Sequence, residues 1–353
     1  MSSTVPFLVR IVCYWQGIIP ASEITPEICT HIIFSFIGVN DSGNLIYLYS
    51  DEAEIKRKLN EFQKLKSKNP KLTLMAAVGG ANDELLNAFD NLSKTESGRE
   101  NFINEIIKFM NENSLTGIDI DWEYPRNDEE KENFILLLRD LHSRFSLSNF
   151  TLSIAVAPEK WRSEKSYDIP RLVEYVDFIN LMTYDFHGSW DETVGHHTQM
   201  FPHHGDSSYI KELNCAASIS YWKSNKVPAE KLNLGIATYG KTFVLSDISK
   251  HRIGSIVDVE ATKNTSGIIG YNEFCTSLGW KQHFDTNYRA YYAVKDDSWF
   301  GFDTKQQVKT KARYAKEHNL GGVMFWSLDT DSNENCKHGK FALISEAFKE
   351  LNS

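Results

Sequence analysis

The sequence predicts an α/β fold, a (β/α)8 TIM barrel carrying a small α+β insertion, and three observations predict it. Eight short apolar strands rich in β-branched residues recur along the 353 residues, each bounded by turn-forming residues. Amphipathic helical patterns lie between them, and strands alternating with helices imply parallel βα units. No GxGxxG follows the first strand and no P-loop occurs, which disfavours the competing open, doubly wound sheet.

In chain order the strands are Leu8–Tyr14, His31–Ile37, Leu72–Val78, Gly117–Asp121, Thr151–Ala157, Val176–Tyr184, Leu232–Thr238 and Gly322–Trp326. Helical periodicity is clear over Asp51–Lys68, Arg99–Asn113, Glu129–Phe145, Ser208–Lys223 and Lys305–His318. One spacing breaks the rhythm. The seventh strand ends near Thr238 and the eighth begins near Gly321, far more chain than one helix needs. The interval from Lys241 to Asp297 is rich in Tyr, Gly, Val and Thr, with short alternating stretches such as RAYYAV. We therefore divide the chain into residues 1–240 (barrel strands one to seven), 241–297 (the α+β insertion) and 298–353 (strand eight and the final helices).

Composition narrows the partners. Lys and Arg number 38 against 47 Asp and Glu, so the formal charge is −9. No basic run interleaves with aromatics, which argues against nucleic acid; an acidic surface suits a neutral substrate better than a polyanion. The 8 Trp and 15 Tyr are generous, and sugar sites use flat aromatic faces as platforms. No apolar run reaches transmembrane length, so no membrane partner is expected, and the N-terminus lacks the pattern of a signal peptide. None of the five cysteines forms a CxxC pair, so two disulfides with a spare thiol and five free thiols both stand. Sequons at Asn91, Asn149 and Asn264 lean toward the secretory route, yet composition alone leaves the compartment open.

The chemistry concentrates in TGIDIDWEYP, Thr116 to Pro125. Asp119, Asp121 and Glu123 alternate with Ile118, Ile120 and Trp122, so three carboxylates share one strand face, neighbours roughly 7 Å apart at ~3.3 Å of rise per residue. Like charges in a file raise one another's pKa values, and a strand that needed only stability would not carry them. A calcium loop would require a glycine at its sharp turn and no apolar alternation. A carboxylate active site at a strand end fits better, because barrel chemistry sits at the C-terminal strand ends, where Glu123, Tyr184, Asp185 and Trp326 also fall.

This segment resembles the DxxDxDxE signature of family 18 glycoside hydrolases, the chitinases and chitinase-like proteins. LMTYDFHGSWD (Leu181–Asp191) resembles the family's sixth-strand motif, AAVGG (Ala76–Gly80) its third-strand SxGG segment, and ATYGKTF (Ala237–Phe243) the start of its insertion. YNEFC (Tyr271–Cys275) resembles a motif inside that insertion, and GGVMFWSLDTD (Gly321–Asp331) the eighth strand. The resemblance implies secretion, with disulfides Cys13–Cys29 and Cys275–Cys336 and Cys215 left free. It implies a monomer acting on chitin or chito-oligosaccharides without metal or organic cofactor; His196–His197 and His203–His204 lack a third ligand.

The family departs from the two-carboxylate glycosidase scheme by drawing its nucleophile from the substrate. On that resemblance Glu123 is the acid, Asp121 holds the acetamido N–H, and Asp119 sits behind it and shares a proton. Tyr184 and Asp185 support the acetamido group. Trp326 forms the floor, Tyr14, Phe36 and Tyr239 the walls, Met182 the methyl pocket and Trp190 an aglycone platform, with Gly80 also in the binding set. Thr116 replaces the first Asp of the signature, Ala81 and Ile18 stand where relatives often carry Trp, Lys241 replaces an Arg, and Val194–Met200 departs from a TGHNSPL-like run. The expected activity is an endo-acting chitinase favouring short or soluble chains. The alternative is a chitinase-like protein that binds carbohydrate without cleaving it; many such relatives have lost the acid that Glu123 supplies here.

Overall fold

The computed structural model describes residues 9–48 and 50–353. Eight parallel strands close into a barrel. In chain order the strands are β1 (Arg10–Trp15), β2 (His31–Val39), the two-residue β3 (Leu45–Ile46), β4 (Thr73–Gly79), β5 (Gly117–Asp121), β6 (Thr151–Val156), β7 (Phe178–Leu181) and β8 (Leu232–Ala237). Next come β9 (Tyr239–Val244), β10 (Ile268–Gly270), β11 (Lys281–Asp285), β12 (Ala290–Lys295) and β13 (Ser298–Phe302), and last β14 (Gly322–Trp326). The barrel runs β1-β14-β8-β7-β6-β5-β4-β2 and closes through parallel pairing of β1 with β2, whereas β3 is an antiparallel appendage of β2. Leu8, the expected start of the first strand, lies outside the described residues.

Two apolar layers follow from strand alternation. Outward residues such as Ile11, Cys13, Ile118 and Ile120 pack under the helices, and inward Val12, Tyr14, Ile33, Met75, Phe178 and Met324 fill the barrel. β5 breaks the pattern by sending Asp119 inward, fully buried. Its register is secured from outside. Trp122 stacks on Phe89 at 5.5 Å and meets Phe134 edge-on at 5.6 Å, and a one-residue slip would drag that indole inside and expel the carboxylates.

The other sheet runs β10-β9-β13-β12-β11 and is antiparallel throughout. It reaches from Tyr239 to Phe302, a few residues beyond the expected 241–297 at each end, because only Thr238 separates β8 from β9. Disulfide bonds join Cys13 to Cys29 and Cys275 to Cys336, and Cys215 is a buried free thiol.

Most strand and helix ends shift by one to three residues, and two elements depart further from expectation. The helix expected over Ser208–Lys223 begins only at Cys215, because the Asn214 side chain accepts from the Ala217 N–H and caps it there. The strand expected to reach Tyr184 leaves the ladder after Leu181, as the Thr183 and Tyr184 N–H groups turn back to the carbonyls of Leu181 and Met182.

Candidate active site

A cleft of about 640 Å³ opens at the C-terminal ends of the barrel strands. β5 delivers the carboxylate file into it. Asp119 is deepest: its Oδ2 accepts from the Tyr14 hydroxyl at 2.7 Å, and its Oδ1 from Ser153 Oγ at 2.5 Å and Asn180 Nδ2 at 3.3 Å. Asn233 Nδ2 donates to Asn180 Oδ1, and Arg10 Nε to Asn233 Oδ1, so a polar chain from four strands holds one carboxylate. Burial lifts the Asp119 carboxyl to about 6, opposed by these donors. Three neutral donors already occupy the Asp119 oxygens.

Asp121 is buried, with Oδ1 lacking any partner. Burial, then the charges of Glu123 and Asp119, pushes it well above the usual carboxylate range. Glu123 lies just past the strand, half-buried, its carboxyl facing the cleft. Burial lifts it to about 7; Asp185 and Glu159 add to the rise, and Tyr124 and Arg162 oppose it. Both carboxyls are thus held above the ordinary range, Asp121 by burial and the charges of Glu123 and Asp119, Glu123 chiefly by burial. The close approach of β4 makes this arrangement possible. Gly79, at φ +127°, faces the Asp121 carbonyl so closely that a Cβ there would lie 1.9 Å from it.

Beyond β7 the chain turns so that Tyr184 and Asp185 enter the cleft, Asp185 at φ +59°, a backbone region Asp tolerates better than most residues. Asp185 Oδ1 accepts from the Tyr239 hydroxyl at 2.7 Å, Oδ2 lies 3.1 Å from Lys241 Nζ, and His197 Nδ1 is 3.4 Å from Oδ1. Burial pushes its carboxyl up, but His197, Lys241 and Tyr239 together overcome that and hold it below the ordinary value. Tyr184 directs its hydroxyl toward Met324 Sδ at 3.8 Å and meets Tyr239 edge-on.

Trp326 spreads across the base of the cleft, 5.4 Å from Tyr14 and stacked on Phe36 at 5.3 Å. Met182, Tyr239 and Trp190 line it as well. Gly80 does not. It lies behind Phe36, where a Cβ would come within 2.7 Å of that ring, so it makes room for a wall rather than touching the cleft. Asn91, Asn149 and Asn264 are exposed and are not among the cleft-lining residues. A further sequon at Asn40 escapes the reading above.

Several residues at the cleft were missed by sequence. His197, set aside for want of a third metal ligand, instead faces Asp185. Trp161, Arg162 and Tyr209 line the outer cleft; Trp161 and Arg162 lie on the short helix Lys160–Ser166, absent from the expected helices, and Tyr209 lies in the part of Ser208–Lys223 that precedes the Cys215 helix. Behind His197, Lys311 and Asp303 form a buried ion pair, and Lys311 Nζ also donates to Thr198 at the carbonyl (2.6 Å) and hydroxyl (2.7 Å). Among the described residues no group of three or more His, Cys, Asp or Glu could hold a metal ion, and no helix is long and apolar enough to cross a membrane.

Comparison with known proteins agrees with this geometry. The sequence profile of the glycosyl hydrolases family 18 matches residues 10–331. The chain is 32% identical over 349 residues to chitotriosidase-1 of Mus musculus, covering 94% of this chain and 73% of that relative. The group IV chitinase of Ostrinia furnacalis, solved with allosamidin, superposes at a TM-score of 0.91 and 32% identity, covering 98% of this chain and 99% of that one. Human YKL-39, described as a pseudo-chitinase with retained chitooligosaccharide binding, superposes at 0.89 and 28% identity, covering 98% and 100%.

Proposed function

The chain belongs to glycosyl hydrolase family 18, and from that premise we propose that it is an endo-acting chitinase. It hydrolyses β-1,4-linked N-acetylglucosamine polymers or oligomers with retention, the substrate's own acetamido group serving as nucleophile. One observation carries the reading: Glu123, last of the file and open to the cleft, has its carboxyl lifted to about 7, the condition a general acid needs near neutral pH. A protein that only bound sugar would gain nothing from three stacked carboxyls.

The donor sugar lies over Trp326 between Tyr14 and Tyr239. Glu123 gives its proton to the glycosidic oxygen as the C1–O bond breaks and the acetamido oxygen closes on C1. Asp121, whose Oδ1 is free of partners, accepts from the acetamido N–H and stabilises the oxazolinium, its position backed by Asp119. The Tyr184 hydroxyl donates to the acetamido oxygen, and Asp185, kept ionised by Lys241, His197 and Tyr239, supports this side of the sugar. Water then adds to C1 from the face the leaving group vacated, with Glu123 taking its proton, so configuration is retained. The nucleophile comes from the sugar and no cofactor is required. On the same reading the protein is a secreted monomer; two disulfides suit an oxidising compartment, and Asn91, Asn149 and Asn264 are the glycosylation candidates.

The test is hydrolysis of labelled chito-oligomers by the wild type and by Glu123→Gln. Loss of turnover by at least a hundredfold with binding retained is the expected result. A wild type that binds the oligomers and never cleaves them would instead make this a carbohydrate-binding protein like the pseudo-chitinase it superposes on.

A further inference from the structure

We propose that Lys311 is a positioning residue for the reaction: paired with Asp303, it clamps Thr198 and His197 against the turn at residues 183–186 and so sets where Tyr184 and Asp185 stand in the cleft. The proposal rests on the chitinase reading and extends it to side chains that do not line the cleft.

The turn needs support from outside the barrel ladder. The last register of β7 against β8 is Leu181 opposite Leu234, so the residues that follow are held by other means. His197 and Thr198 supply them, lying along the turn as a splint. The Phe186 N–H donates to the His197 carbonyl at 3.0 Å, and the Asp185 N–H lies 3.4 Å from His197 Nδ1. The Thr198 hydroxyl donates to the Thr183 carbonyl at 3.0 Å. The buried Cys215 thiol reaches the same carbonyl at 3.5 Å and that of Thr198 at 3.8 Å.

The splint is itself a piece of irregular connection, and Lys311 is what fixes it. Lys311 comes from the helix Lys305–Glu317, and Asp303 stands just after β13. The ammonium gives hydrogens to the Thr198 carbonyl at 2.6 Å, to the Thr198 hydroxyl at 2.7 Å, and to the Asp303 carboxylate. All three donors of the lysine are thereby used. An ammonium cannot accept, so the Thr198 hydroxyl must turn its own hydrogen toward Thr183. Asp303, Lys311, Thr198 and Thr183 thus form a chain whose every direction is determined, ending one residue before Tyr184.

Packing alone does not account for the pair. The buried neighbours of Lys311 on its helix are Val308, Ala312 and Ala315, an apolar face that a methionine would continue. Replacing a buried ion pair by apolar side chains of similar volume is often neutral or stabilising. The charge is therefore better explained by what it orients than by the stability it adds.

Thr198 gives the most selective test. Thr198→Val keeps the shape and the backbone carbonyl but deletes the hydroxyl, whereas Thr198→Ser restores it. Well below the melting point of either variant, Thr198→Val should lower kcat on a soluble chito-tetramer by about tenfold or more, as misplaced catalytic groups do. Tetramer binding, measured by calorimetry in the Glu123→Gln background, should stay within about threefold, and Thr198→Ser should return kcat to within about threefold of wild type. The double variant Lys311→Met with Asp303→Leu strands no charge and should show the same loss of kcat. Crystal structures read the clamp directly: the Asp185 carboxylate should shift by about 0.5 Å or more in Thr198→Val and stay in place in Thr198→Ser. A Thr198→Val kcat close to wild type, or a loss that Thr198→Ser shares, would overturn the proposal. If the wild type binds the tetramer and never cleaves it, the chitinase reading fails first. The crystal structures then decide the clamp alone, and an unmoved Asp185 in Thr198→Val refutes it.

Discussion

Replacing Gly79 by alanine should damage the site more than it damages the fold. A Cβ at Gly79 would lie 1.9 Å from the Asp121 carbonyl oxygen and 2.6 Å from its carbonyl carbon, where ordinary contact begins at 3.4 Å. Relief requires a displacement of about 1.5 Å, and backbone on both sides is locked in the β4–β5 ladder, with Gly79 opposite Asp121. The residue also sits at φ +127°, a conformation costing alanine about 1–3 kcal/mol. Gly254 supplies the control: it too has positive φ, +84°, but nothing lies within 4 Å of its would-be Cβ, so Gly254→Ala carries strain without collision. On the proposed mechanism Asp121 would be pushed from the acetamido group by on the order of 1 Å, a misplacement that costs about a hundredfold in rate. Thermal unfolding and kcat/KM on a soluble chito-tetramer, measured for both variants, separate the two effects. Gly79→Ala matching Gly254→Ala in stability and staying within threefold of wild-type activity would refute the reasoning.

Three further outcomes are expected. On the proposed mechanism Glu123 is the acid and must begin protonated, and burial lifts it to about 7, so kcat/KM should decline as pH rises through about 7; a basic limb at or below pH 5 would contradict this. Lys241→Gln removes a cation 3.1 Å from Asp185. The carboxyl, now held below its ordinary value, then rises, and the acid limb of the same profile should move to higher pH; an unmoved limb would count against a role for ionised Asp185. Lys311→Met leaves Asp303 buried without its partner, both side chains being 1% exposed. Breaking such a pair costs about 3–5 kcal/mol, which differential scanning calorimetry should register as a melting point lowered by about 5 °C or more.

The barrel was legible because each strand buries both faces and leaves a dense β-branched run in the sequence. Gly117–Asp121 and Gly322–Trp326 were read to the residue. The file Asp119–Asp121–Glu123 was legible for a different reason: period-two charge next to period-two hydrophobicity is too costly to be accidental. What holds the file was not legible. Tyr14, Ser153, Asn180 and Asn233 come from four strands and meet only when the barrel closes, and nothing in VCYW or FINL announces a hydrogen bond to Asp119. His197 escaped for the same reason, since its neighbour Asp185 is set by the turn that ends β7 early. Trp161 sits on the short helix Lys160–Ser166 and Tyr209 on the irregular stretch before Cys215, and in sequence an aromatic at either place looks the same whether it is core or cleft lining.

Only Thr238 separates the last barrel strand from the first strand of the second sheet, and its hydroxyl is fastened to the Ser327 carbonyl at 2.6 Å and to Thr330 at 2.7 Å. Tyr239 and Lys241, two of the three groups that grip Asp185, are residues of that second sheet. Cutting the sheet away and rejoining the barrel would thus leave a smaller protein with an unsupported carboxylate rather than a minimal enzyme. On the chitinase reading, fraying of β9 would silence turnover before the barrel loosened, so activity, followed through gentle heating or dilute urea, would report the cohesion of a unit that carries none of the three carboxylates of the file.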